Sequence, residues 1–157
     1  MLKIHNSLSR TVENFEPQNP SVVTMYMCGP TVYDYVHVGN LRSYTLADFL
    51  HRTLKFNGYE VRYIMNITDV GHLTSNEDEG DDKLESSAEK QGKSAAEVAD
   101  FYIRDFFDVY EKMNFIKPAK FTRATEYIKQ QVSLIATLEE KGYTYKTSDG
   151  VYFEPSK

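Results

Sequence analysis

The sequence predicts an α/β fold built on a parallel sheet. Three observations point to it. Ser21 to Met27 (SVVTMYM) and Glu60 to Asn66 (EVRYIMN) are short, apolar, β-branched runs that read as buried strands. Between them, Leu46, Phe49, Leu50 and Leu54 recur at three- and four-residue spacing, the pattern of one apolar helical face. Strand, helix and strand follow one another within about fifty residues, the span of a βαβ unit whose two strands run parallel.

The elements follow in order. Residues 1–20 form an N-terminal segment without an apolar core of signal-peptide length. Gly29-Pro30 ends the first strand. The helix begins near Gly39-Asn40 and stops at Gly58. The second strand runs into a loop, Asp69 to Asp82, where five of the six residues from Glu77 to Asp82 are acidic. The plain reading of that loop is a solvated segment; a sharper one is a magnesium-binding or lid role. It lacks the full ligand spacing of an EF-hand calcium loop. Ser94 and Glu97 form a capping box, and Val98, Phe101, Tyr102, Phe106, Val109, Tyr110 and Met113 continue with helical spacing. We assign these aromatic stripes to packing, and Pro118 closes that helix or lies just past it. A further helix is predicted from about Thr122 to Lys141, with an apolar stripe of Ile128, Val132, Ile135 and Leu138 and Gly142 as its stop. The last residues, YTYKTSDGVYFEPSK, carry a hairpin signal with Asp149-Gly150 as the turn. A sheet of two parallel strands is too small to be covered on both faces, so this order reads as the start of a larger α/β architecture.

Composition narrows the class. The chain has 157 residues, 41% of them hydrophobic and 26% charged, enough for one domain with a real core. Its net charge of −5 excludes a global basic field that would draw it to nucleic acid, leaving only a local patch for such a partner. The single cysteine, Cys28, permits no internal disulfide and fits a reducing compartment. No apolar run approaches the roughly 20 residues that span a bilayer. The expected location is the cytoplasm, without membrane attachment.

The chemistry-bearing residues gather where ligands bind in parallel α/β sheets, beyond the carboxyl ends of the strands. Cys28-Gly29-Pro30-Thr31 follows the first strand, Asn66-Ile67-Thr68-Asp69 follows the second, and His37-Val38-Gly39-Asn40 opens the helix between them. A helix N-terminus suits phosphate. Gly39 permits close approach of a flat group such as a base. A histidine there can donate to a phosphoryl oxygen as charge builds. Each residue also has a plainer reading: a lone cysteine as a small buried hydrophobe, a histidine at a helix start as a cap or surface residue, a Gly-Asn pair as a turn. Cys28 and His37 do not have zinc-finger spacing. Their clustering at one end of one βαβ unit favours the functional reading.

Three stretches carry a resemblance. Met27-Cys28-Gly29-Pro30-Thr31-Val32-Tyr33-Asp34, His37-Val38-Gly39-Asn40 and Tyr63-Ile64-Met65-Asn66-Ile67-Thr68-Asp69-Val70, with the MLKIHNSLSR opening, together resemble the cysteinyl-tRNA synthetases from Met1 to the end of the chain. His37-Val38-Gly39-Asn40 is similar to the HIGH signature of class I aminoacyl-tRNA synthetases, with Asn40 in place of the second histidine; an asparagine still donates a hydrogen bond.

The resemblance implies a Rossmann-like (HUP-type) parallel sheet: an N-terminal segment over 1–20, the first half of the nucleotide-binding domain over 21–115, and the start of a connective insertion over 116–157. It implies that His37 and Asn40 are catalytic and, with Gly39, bind ATP. Cys28 would ligate a zinc ion that holds the substrate thiolate, with Gly29, Thr31 and Thr68 lining the cysteine pocket. A hydroxyl is a far poorer zinc ligand than a thiolate, so such a site rejects serine without editing. The implied substrates are L-cysteine, ATP with Mg²⁺, and tRNA(Cys); the implied full-length enzyme is a monomer.

The remaining implied parts lie beyond residue 157: a second cysteine, a histidine and a glutamate for zinc, a KMSKS loop, and a helical tRNA-binding region. The expectation is therefore an N-terminal portion that by itself neither holds zinc tightly nor charges tRNA. Gly71 to Gly80, ahead of Asp81-Asp82-Lys83, resembles an insertion relative to that family. Two other functions stay open at this point. One is the related ligase of mycothiol synthesis that joins cysteine to an amino sugar. The other is a non-catalytic half-domain that binds ATP or a partner.

Overall fold

The computed structural model describes residues 2–70 and 83–157. The acidic stretch from Glu77 to Asp82 and the insertion-like segment before it lie outside the described residues.

A small antiparallel hairpin opens the chain, with β1 (Lys3–Asn6) pairing β2 (Thr11–Asn14) so that Lys3 faces Asn14. Its turn places Arg10 at φ 60°. Four-residue strands without a run of β-branched residues give too short an alternation to announce themselves, which is why the sequence yields only an N-terminal segment here. The βαβ unit forms as expected. β3 (Val23–Met27) leads to α1 (Val38–Phe56), and α1 leads to β4 (Val61–Ile67), which runs parallel to β3 with Val23 opposite Val61 and Met27 opposite Met65. β3 is an edge strand rather than a fully buried one: Val23 is buried, Thr24 and Tyr26 are exposed.

The helical face of α1 differs from the one the leucines suggest. Leu54 is buried, but Leu46 is 71% and Phe49 64% exposed. The face against the sheet is Tyr44, Ala47, Asp48, His51 and Leu54. Asp48 can be buried because its carboxylate is fully engaged: Oδ1 accepts the Ile116 N–H at 2.7 Å and Oδ2 accepts from Arg52 Nε at 2.6 Å. A buried charge that is paired and hydrogen-bonded is tolerated, and here it selects the helix face by fastening α1 to residues 114–116. Arg52 completes the tie by donating to the Asn114 carbonyl at 2.5 Å.

After the undescribed segment come α2 (Lys83–Gln91), which the sequence pattern did not indicate, and α3 (Ala95–Lys112). The capping box at the start of α3 is present: Ser94 Oγ accepts the Glu97 N–H at 3.3 Å and the Glu97 carboxylate accepts the Ser94 N–H at 2.9 Å. Val98, Phe106 and Tyr110 are buried, consistent with packing, while Phe101 is 39% exposed. Pro118 lies past the helix end.

The largest departure follows. The sheet has a third parallel strand, β5 (Lys120–Arg123), on the far side of β4, with Ile64 opposite Lys120. A helix was expected from Thr122. Instead a 3₁₀ turn over Ala124–Tyr127 intervenes and α4 begins at Ile128 and ends at Glu140. Tertiary packing overrides local pattern here. Phe121 sits among Phe106, Phe107 and Tyr110, with ring centroids 6.0, 4.9 and 5.7 Å away. The stripe on α4 is not a core: Ile128, Val132 and Ile135 are all exposed and Leu138 is half-buried. The chain closes with the expected hairpin, β6 (Thr144–Lys146) and β7 (Val151–Phe153), whose turn is closed by the Thr147 N–H donating to the Gly150 carbonyl at 2.9 Å.

Along β4 the alternation of period 2 is clear. Tyr63, Met65 and Ile67 are buried in two clusters, one with Tyr44, Ala47, Phe106 and Tyr110, the other with Val32, Leu84, Val98 and Ile103. Ile64, Asn66 and Thr68 alternate with them and are only half-buried. Tyr26 lies opposite Ile64 in the ladder, so it shares their face. That second face carries the polar residues at the strand ends.

Candidate active site

The ends of β3 and β4 and the start of α1 converge. The ladder between the strands ends at Met27 and Met65, opens at residues 28 and 29, and closes again. The Thr68 N–H then donates to the Pro30 carbonyl at 2.9 Å and the Val32 N–H to the Thr68 carbonyl at 3.2 Å, so Thr31 and Thr68 stand side by side. Cys28 lies in the opening and its thiol is exposed, so the plain reading of a buried hydrophobe fails. Its Sγ is 3.8 Å from the Tyr26 hydroxyl. Partial burial, with the Cys28 sulfur beside it, pushes the Tyr26 phenol above its ordinary value.

Gly29 cannot be another residue without movement of the turn. A Cβ there would lie 1.8 Å from the Asn66 carbonyl oxygen and 2.9 Å from the Met65 side chain.

The N-terminus of α1 is built by two of the predicted residues. His37 caps it, its Nδ1 accepting the Gly39 N–H at 3.0 Å. Asn40 returns the bond, its Oδ1 accepting the His37 N–H at 3.0 Å. Because Nδ1 is an acceptor, the neutral imidazole carries its proton on Nε2, a donor that the cap does not use. Gly39 permits this fold-back, since a Cβ there would lie 2.9 Å from the imidazole. No acidic side chain occupies the first turn, so nothing there competes with an anion for the positive end of the helix.

A cleft of about 180 Å³ joins these parts, lined by Gly29, Pro30, Thr31, Tyr33, Asp34, Tyr35, Val36, His37 and Asn40. Of the predicted site residues it brings together Gly29, Thr31, His37 and Asn40. Cys28, Gly39 and Thr68 flank it without lining it. A separate hollow of about 390 Å³ between β1–β2 and α1 contains none of them.

Two residues of the site were missed by sequence reasoning. Asp69, immediately after Thr68, is buried and ties the end of β4 to the junction of β5 with the 3₁₀ turn. Its Oδ2 accepts from Arg123 Nε at 2.8 Å and from Thr125 Oγ1 at 2.7 Å, and its Oδ1 accepts the Thr125 N–H at 3.0 Å. Burial alone would push this carboxyl up; the bonds from Thr125 and Arg123 outweigh it and hold it below its ordinary value. Arg123 also reaches Asp100 at 3.0 Å. Asn66 bonds to Tyr26, Gly29 and Thr68. Both residues stand in the NITD stretch already singled out, and that adjacency was the available signal.

The sequence pattern of the tRNA synthetase class I (C) catalytic domain matches residues 14–157. The chain belongs to that family.

Among curated relatives, the chain is 47% identical to the Cysteine--tRNA ligase of Treponema denticola, covering 99% of this chain and 32% of that protein. It is also 47% identical to Cysteine--tRNA ligase 1 of Burkholderia lata, over 99% of this chain and 33% of that one. The chain thus spans about a third of the length of these relatives. Among solved structures, Mycobacterium tuberculosis methionyl-tRNA synthetase in complex with methionyl-adenylate superposes with a TM-score of 0.67 at 19% identity, covering 80% of this chain and 23% of that one. An Agrobacterium radiobacter LeuRS in a ternary complex with tRNA and LeuAMS gives 0.62 at 23% identity, over 84% and 16%. These likenesses establish the Rossmann-like fold. No helix among the described residues is long and apolar enough to cross a membrane.

Proposed function

We propose that this chain is the ATP- and cysteine-binding front portion of a cysteine–tRNA ligase. The reading rests on one observation above all: the reciprocal cap of His37 and Asn40 sits at the mouth of a cleft shared with Gly29 and Thr31.

In the first step the cysteine carboxylate attacks the α-phosphorus of Mg²⁺-bound ATP. A carboxyl oxygen–phosphorus bond forms, the bond to pyrophosphate breaks, and cysteinyl-adenylate remains. His37, with Nδ1 committed to Gly39, would donate from Nε2 to a phosphoryl oxygen as charge develops, beside the free N–H groups of α1. Asn40 holds His37 in that pose and offers its own amide N–H. Transfer follows when a terminal ribose hydroxyl of tRNA(Cys) attacks the acyl carbon and AMP leaves. Both steps depend on positioning and charge stabilisation rather than a covalent enzyme intermediate.

Zinc would supply thiolate selectivity when bound. Cys28 suits one position of such a site, because its sulfur is exposed beside the cleft. No group of three or more His, Cys, Asp or Glu side chains capable of holding a metal gathers among the described residues. The family resemblance places the other ligands after residue 157, and on that reading residues 1–157 alone neither retain zinc nor charge tRNA. Gly29, Thr31 and Thr68 would shape the cysteine pocket. The division into 1–20, 21–115 and 116–157 is proposed with it, although β5, from the last segment, pairs with β4 in the sheet of the second.

Cysteine-dependent ATP–pyrophosphate exchange by the full-length gene product tests the reading. Exchange with cysteine and not serine, followed by charging of tRNA(Cys), is the expected result. Exchange without tRNA charging, but with an amino-sugar acceptor consumed, would replace the acceptor. Absence of cysteine-dependent exchange would overturn the proposal.

A further inference from the structure

The mechanism above gives Asn66 no role. Asn66 is the residue of β4 where the ladder to β3 opens. Its Oδ1 accepts the Gly29 N–H at 3.0 Å and the Tyr26 hydroxyl at 2.8 Å, and its Nδ2 donates to Thr68 Oγ1 at 3.1 Å. The amide has only one orientation that serves all three. A backbone N–H can only donate, so the carbonyl oxygen must face Gly29, which leaves the NH₂ group to Thr68.

Continuing the ladder would have kept residues 28 and 29 in the plane of the sheet. Here the side chain of Asn66 stands in for the missing backbone bonds, and Gly29 is pressed against the Asn66 carbonyl, where no Cβ fits. Cys28, two positions past Tyr26, stays on the same face of the strand, where its sulfur is exposed and lies 3.8 Å from the Tyr26 hydroxyl that Asn66 also holds.

We propose that Asn66 is a positioning residue that keeps the Cys28-Gly29 turn off the sheet and presents the Cys28 thiol, with the Tyr26 hydroxyl beside it, to a thiophilic divalent cation and a thiol-bearing amino acid. This rests on the reading of Cys28 as a zinc ligand. Losing a partner that orients a metal ligand typically costs about 10- to 100-fold in metal affinity or activity.

Four variants of the full-length gene product test it. Asn66→Leu keeps the volume and removes all three bonds. Asn66→Asp keeps the acceptor for Gly29 and Tyr26 and lets the Thr68 hydroxyl turn donor. Tyr26→Phe removes only a hydroxyl from an exposed side chain, and Cys28→Ala removes the thiol. The readouts are zinc affinity by chelator competition, the alkylation rate of Cys28 in zinc-free protein by peptide mass spectrometry, and KM for cysteine against KM for ATP.

Asn66→Leu is expected to weaken zinc about 10- to 100-fold, with Asn66→Asp restoring it to within about threefold. Asn66→Leu should also change the alkylation rate and raise KM for cysteine while KM for ATP stays put. A folded Asn66→Leu with wild-type zinc affinity and cysteine KM overturns the proposal, as does a rise in both KM values together. If Asn66→Leu does not fold, Tyr26→Phe decides: wild-type alkylation and zinc affinity overturn it. Cys28→Ala separates the two layers. Zinc retained without Cys28 sinks the ligand reading itself, whereas zinc lost with Cys28 but indifferent to Asn66 sinks only the positioning role.

Discussion

Replacing Gly29 with alanine adds one methyl group where the structure has no space. The new carbon would sit 1.8 Å from the Asn66 carbonyl oxygen, and backbone cannot swing aside as a flexible side chain can. Restoring ordinary contact requires the turn to retreat by roughly 1.5 Å. That retreat stretches the Gly29 N–H bond to Asn66 Oδ1 beyond its present 3.0 Å, leaving a half-buried donor and acceptor poorly paired at a cost of about 1–3 kcal/mol. Overpacking contributes about 1–3 kcal/mol more. The sum, about 2–6 kcal/mol, lowers the melting temperature of a chain of this size by roughly 4–24 °C. The displacement also carries Cys28 with it, and a shift of about 1 Å at a reacting centre costs on the order of 100-fold in rate. The assay is thermal unfolding of residues 1–157 by circular dichroism beside cysteine-dependent exchange by the full-length gene product. Gly58→Ala is the control: Gly58 has φ +85° with nothing within 4 Å of a new Cβ, so it pays only backbone strain of about 1 kcal/mol and leaves exchange intact. A Gly29→Ala protein with wild-type melting temperature and wild-type cysteine KM would refute the steric reasoning.

Three further outcomes follow from the same geometry. Asp69→Asn should destabilise the protein by about 1–3 kcal/mol through its lost charged bonds to Arg123 and Thr125. Because the folded carboxyl is held below its ordinary 3.8, its stabilisation is present above that pH and is lost as pH falls through the folded value; chemical denaturation from pH 6 to pH 2 should show a shallower acid loss in the variant. His51 works in the same direction at higher pH: burial, then Lys55, lowers it from 6.5, so wild-type stability declines as pH falls below 6.5 and His51→Phe flattens that slope between pH 7 and pH 5. Asn40→Ala removes the acceptor for the His37 N–H, which should cost α1 about 1 kcal/mol and, in exchange kinetics, lower kcat more than it raises KM for cysteine.

Local chemistry was legible in the sequence. The βαβ path shows because β-branched runs and a 3.6-residue period are properties of a few neighbouring residues. Ser94 with Glu97 and Asp149-Gly150 announce a cap and a turn because their bonds close within three or four residues. The HVGN stretch announced a helix start for the same reason, since His37 and Asn40 cap each other across three positions. Tertiary structure alone decided what depends on residues far apart in the chain. Asp48 chooses the buried face of α1 by bonding Ile116, 68 positions away. Lys120–Arg123 becomes a strand, its last two residues against an expected helix start, because the edge of β4 offers unpaired backbone and the aromatic cluster takes Phe121. Asn66 reaches Gly29 across 37 positions and Asp69 reaches Thr125 across 56. The sequence thus determined by itself which residues could carry the chemistry. Where the thiol stands and what holds it there came from packing, because a hydrogen bond between distant segments exists only once the fold has brought them together.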